Sequence, residues 1–262
     1  MLSHTTCFLW EFDGGDRNLE WKKWRNTVIV ESLSMSGKAL RIPVAGLNKQ
    51  WKIIGRHLIK EFGLPVCMVL LLQTLKQQKK ITVEYPDAVA ALRKTGNDIT
   101  TRLCRLGALF YVMAERRGRR RAYGIMEKMM RDMAAVAMPE IYRIAAPDMG
   151  DGEVFAGFKA FTRALFTEID RIGLWKHAGF YETDTLLSFK ITSCMNVEFY
   201  RDIGCPEVAK LQCEYNHAGY LRLESATESE FRRPCTLAEG GGCCCFQFYR
   251  KGTAPAIVRP DQ

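Results

Sequence analysis

Between Leu47 and Ile169 the apolar residues recur every three or four positions, and beyond Trp175 they begin to alternate. That change of period constrains the fold more than any other feature, because a helix repeats every 3.6 residues and a strand every two. NKQWKIIGRHLIKEFG sets Trp51, Ile54, His57 (or Leu58) and Phe62 on one helical face and stops at Gly63. The run LPVCMVLLL then predicts a buried helix over Leu64–Gln77. Pro86-Asp87 opens a third helix, with Asp87 in the first turn where the helix dipole favours an acid. Its face of Val89, Leu92, Ile99, Leu103 and Leu106 predicts one helix running on to Val112. A further helix spans Tyr123–Ala137, and its Met126, Met129, Met130 and Met133 are expected to pack in the core rather than bind a soft metal. APDMGDGE at Ala146–Glu153 reads as a loop and internal boundary. After it, Phe155, Phe158, Phe161 (or Thr162), Leu165 and Ile169 mark an amphipathic helix.

TLLSFKITSC at Thr185–Cys194 is β-branched and apolar and predicts a strand. MNVEFYRDIG reads as a short helix stopped by Gly204, and Pro206 opens the next, PEVAKLQCEYNHAGYL. ESEFRRPCTL alternates Phe231, Arg233, Cys235 and Leu237 against Arg232, Pro234 and Thr236. Behind the AEGGG turn, CCCFQFYR sets Cys244, Phe246 and Phe248 on one face and Cys243, Cys245 and Gln247 on the other. These two runs predict a hairpin. The tail GTAPAIVRPDQ is expected to extend an edge or stay disordered, and WKKWRNTVIVESL and KALRIPVAGL near the start to pair as strands or wrap the body. The fold class is α+β: a helical N-terminal half packed on a C-terminal α+β unit with a small antiparallel sheet. Residues 1–150 form the mainly helical region and 151–262 the α+β region, expected to make one integrated domain.

Composition excludes several function classes. No stretch approaches the eighteen or so apolar residues of a membrane span, and no membrane partner is expected. The opening MLSHTTCFLWEFDGGD lacks the basic-then-apolar order of a secretory signal. Ten cysteines are about 4% of the chain, below the roughly 8–10% of disulfide scaffolds. Mostly free thiols point to a reducing, cytoplasmic location. The net charge of +9 is concentrated in ERRGRRR at Glu115–Arg121, which reads as a solvated helix end or loop. No aromatic-interleaved or zinc-finger spacing accompanies it, so no nucleic-acid partner is expected. A homo-oligomer is compatible with the sequence.

The cysteines carry the candidate chemistry. Structural zinc favours paired C-x-x-C spacing, which is missing here; Cys194, Cys213, Cys244 and His217 are the one set that could converge on it. No metal and no cofactor are expected. A nucleophilic thiol needs a base, a cation or a helix N-terminus beside it. Cys194 sits where a strand hands over to a helix, and Cys213 has Asn216 and His217 three and four residues on, at neighbouring positions of one helix face. The alternative is that each is a small buried hydrophobe.

The order of a cysteine after a strand, GCPEVAKLQCEYN, then Arg233…Thr236-Leu237-Ala238-Glu239-Gly240…Cys244-x-Phe246-x-Phe248, resembles the L-2-amino-thiazoline-4-carboxylic acid hydrolase family over roughly Thr185–Arg250. The hairpin is also similar, more weakly, to a vinyl-reductase-type small-molecule sensing domain. The family resemblance implies hydrolytic opening of a cyclic amidine to an N-carbamoyl cysteine, with a small-molecule substrate. Cys213 or Cys194 would be the nucleophile, with Asn216 and His217 beside them. Arg233 or Thr236 would hold the substrate's anion in a binding set with Glu239, Gly240 and Cys244. Asn216 and Cys245 stand where the family usually carries aspartates. Loss of those carboxylates leaves a non-hydrolytic cyclase or isomerase acting on an apolar molecule, and a small-molecule or metal sensing module, as alternatives.

Overall fold

The computed structural model describes residues 27–30, 40–145 and 153–256. The readings of the opening stretch, of the SMSG link, of the loop over 146–152 and of the end of the tail fall outside them. Strands β1 (Thr27–Val30) and β2 (Leu40–Pro43) pair antiparallel. Five helices follow: α1 (Val44–Phe62), α2 (Leu64–Glu84), α3 (Pro86–Arg93), α4 (Asn97–Arg117) and α5 (Arg119–Ala145). The second part holds α6 (Val154–Arg171), β3 (Trp175–Glu182), β4 (Leu186–Cys194), α7 (Met195–Asp202), α8 (Glu207–Thr227), β5 (Ser229–Arg232) and β6 (Cys244–Arg250). The class is α+β, with one four-stranded antiparallel sheet in this part, ordered β3-β4-β6-β5.

Three readings need correction. The third helix is two: α3 ends where the Thr95 hydroxyl bonds the Leu92 carbonyl, and Gly96, at φ +122°, turns the chain before α4. The apolar run in α2 is not wholly buried. Cys67 and Leu70 face the core, whereas Leu64 and Leu72 are each 57% exposed. A run apolar on all sides carries no information about which face turns inward. The methionine helix extends to Ala145 through Pro139, and Met126, Met129, Met130 and Met133 are all buried. Strand β3 has no counterpart in the sequence reading. It is an edge strand exposed along most of its length, with register shifts between Lys176 and Phe180, so it shows no alternation.

The basic run forms the end of α4 and the start of α5. Two of its charges are matched by acids, Arg119 by Glu207 at 2.6 Å and Arg121 by Glu61 at 2.9 Å. The inner face of the sheet carries Phe189, Phe246, Phe248 and Phe231 against Phe158 and Phe166 of α6 and Tyr220 of α8. One contiguous core runs from Leu58 in α1 to Phe248 in β6. Helix α8 packs on α5, where Arg131 and Glu214 pair at 3.0 Å. That packing fixes the inner end of α8 beside the sheet.

Candidate functional site

Where β4 runs into α7, the chain opens a cleft between that corner, the middle of α8 and the start of β6. Its walls are Trp175, Ile191, Cys194, Asn196, Val197, Ala209, Gln212, Cys213, Asn216, Arg233, Cys244 and Phe246. The space between them is about 360 Å³ and partly open to solvent; its closed part has room for little more than one water. Five residues singled out in the sequence therefore meet here: Cys194, Cys213, Asn216, Arg233 and Cys244. Asn196, Gln212 and Trp175 were missed, and nothing in their local pattern marks them.

Cys194 is the N-cap residue of α7. Its sulfur faces the Asn196 and Val197 amides without reaching hydrogen-bond geometry, and their pull is outweighed by burial, which pushes the thiol up to about 12. Burial likewise pushes Cys213 up to about 11, against an opposing effect of Arg233. Cys244 is raised by burial too, while its sulfur accepts the Leu237 N–H at 3.2 Å. All three are protonated at neutral pH. Iodoacetamide should therefore label Cys213 at pH 7.5 about 100-fold or more below an ordinary thiol, with the rate climbing until pH nears 11. Peptide mass spectrometry across a pH series checks this, and a plateau near pH 8 would contradict it.

Arg233 spans the cleft. Its Nη1 donates to the Cys213 carbonyl at 2.9 Å, and its guanidinium lies 5.9 Å from the Phe246 ring centre. Its Nε is buried with no partner, and so is Asn196 Oδ1. One is a donor, the other an acceptor, and both residues line the cleft. Buried polar atoms are rarely left so.

The other four residues in the expected set lie outside the lining. His217 packs its ring on Phe231, 5.7 Å between centres, and burial, then Arg233, holds it below its ordinary value and hence neutral. No hydrogen bond joins it to Cys213 among the described residues. Thr236 caps a 3-10 turn over Leu237–Glu239: its hydroxyl accepts the Glu239 N–H at 3.2 Å and donates to the Glu239 carboxylate at 2.8 Å. Gly240 closes that turn at φ +87°, a conformation only glycine adopts without strain. These three residues shape the turn that carries the chain into β6.

The geometry defines an α+β protein with a small, mainly apolar cleft, carrying a few polar groups, between its sheet and two helices. The sequence profile of the L-2-amino-thiazoline-4-carboxylic acid hydrolase family matches residues 96–248, and the chain belongs to that family. Searches of the curated proteins and of the solved structures found no match. No single helix among the described residues is long and apolar enough to cross a membrane. The nine described cysteines are all free.

Proposed function

We propose that the cleft takes a small planar heterocycle carrying a carboxylate and an amidine-type N–H, and that the chain opens its ring by hydrolysis. The observation that carries this is the pair of buried, unpartnered groups, Arg233 Nε and Asn196 Oδ1. A carboxylate satisfies the first and an N–H donor the second, and a 2-amino-thiazoline-4-carboxylate offers both. Trp175 and Phe246 supply apolar walls for the ring. The closed space is water-sized, so entry of a ring requires the cleft walls to part.

With its thiols held protonated, the cleft favours water over a thiolate as nucleophile. Water adds to the amidine carbon and the carbon–sulfur bond breaks. The ring sulfur leaves as a thiol, taking one water proton, and the carbon becomes a urea carbonyl. Cys213 and Asn216 then act as orienting neighbours of that carbon. A second reading, a cyclase or isomerase, draws on a specific observation: among the described residues the lining contains no carboxylate and no imidazole, hence no strong general base.

Purified protein incubated with L-2-amino-thiazoline-4-carboxylate in oxygen-labelled water tests the choice. The expected result is time-dependent release of free thiol and a product heavier by one labelled water. Conversion to a product of unchanged mass would favour the second reading. Neither binding nor turnover would remove this substrate class.

A further inference from the structure

On the outer face of the sheet, away from the cleft, three cysteine sulfurs converge. Cys235 Sγ lies 2.8 Å from Cys245 Sγ and 4.0 Å from Cys243 Sγ, and Cys243 and Cys245 are 3.4 Å apart. Cys245 lies in β6, and Cys243, just before the strand begins, is two residues away and points to the same side. Cys235 joins them through an irregularity. Register Arg232↔Gln247 would carry on to pair Pro234 with Cys245, yet the Cys245 N–H bonds the Cys235 carbonyl at 3.1 Å. One extra residue is thus inserted at Arg233–Pro234, the β-bulge expected where proline interrupts a ladder. The bulge moves Cys235 off the face of Phe231 and onto the solvent side.

We propose that Cys235, Cys243 and Cys245 form a binding site for a thiophilic metal ion, zinc(II) in the first instance. The point equidistant from the three sulfurs lies about 2 Å from each, and an ion lifted roughly 1 Å out of their plane reaches the ~2.3 Å zinc–thiolate distance. All three side chains are half-buried, so the ion sits on the solvent side with its fourth position open to water. Binding converts three thiols to thiolates and releases three protons, leaving a complex of charge −1. Lys190, directly across from Cys245 on β4, supplies a compensating cation on the same face. The site shares no residue with the cleft and is independent of what the cleft does.

The test is a zinc(II) titration of the full chain, stripped of metal and kept reduced with a phosphine, against a chromophoric chelator. One equivalent is expected to bind with release of protons, and cobalt(II) in its place should give a thiolate charge-transfer band. Cys245→Ser should weaken binding on the order of 100-fold. Alkylation mapping on the unmutated protein gives a second reading that needs no variant: zinc should protect Cys235, Cys243 and Cys245 and leave Cys213 unchanged. Equal binding by a variant with all three changed to serine would overturn the proposal, as would protection confined to Cys194, Cys213 and Cys244. Recovery of a reductant-resistant Cys235–Cys245 disulfide would overturn it too.

Discussion

Arg233→Met should lower kcat/KM on the amidine carboxylate by roughly 10- to 100-fold, the loss of one charge-assisted contact of about 1.5–3 kcal/mol. The methionine keeps an unbranched apolar stem but removes the cation that faces Phe246 in the cleft. Arg233→Lys should recover only part of the loss, because an ammonium cannot bond the Cys213 carbonyl and present a second N–H to a carboxylate in one fixed plane. A separate readout distinguishes this role from simple support of the fold. Arg233 is the cation that opposes the upward push on Cys213, so its removal should raise that thiol further and slow its alkylation at pH 9. Unchanged kinetics together with unchanged alkylation would take Arg233 out of the site.

Phe248→Ala should destabilise the protein by about 3–5 kcal/mol, read as a shift of the urea midpoint at constant slope. Phe248 is fully buried at the centre of the aromatic layer. Its ring centre lies 4.9 Å from that of Phe231, 5.0 Å from Tyr220 and 5.3 Å from Phe158. Those partners come from β5, α8 and α6, so no single neighbour can relax to fill the gap. Phe248→Leu keeps most of the volume and should cost under about 1.5 kcal/mol. A cost below about 1 kcal/mol for the alanine variant would mean that the sheet and the two helices do not meet as described.

The features legible in the sequence are those whose physics is local. The 3.6-residue stripe of Phe155, Phe158 and Phe161 gives a helix buried on that face, and the alternation of Cys244, Phe246 and Phe248 gives a strand with that face inward. Pro206 and Gly204 mark a helix start and stop as expected. Where local pattern was silent, the reading failed. The run at Leu64–Leu72 has no polar side to orient it, β3 is exposed along most of its length and shifts register, and one bulge beside Pro234 reverses the facing of Cys235.

Periodicity and turn chemistry thus specify the helices, the main strands and the family-bearing hairpin, because each depends on neighbours a few residues away. Which side chains share a space depends on contacts between segments far apart in the chain. The strand order β3-β4-β6-β5 and the packing of α8 against α5 bring Asn196 and Arg233 into one cleft, whereas the three thiols meet through the local bulge between β5 and β6. The meeting in the cleft is not written in the spacing of the residues involved, since it is a product of how buried surfaces stack; the alternation of Cys243 and Cys245 is written there, and only the bulge that adds Cys235 is not.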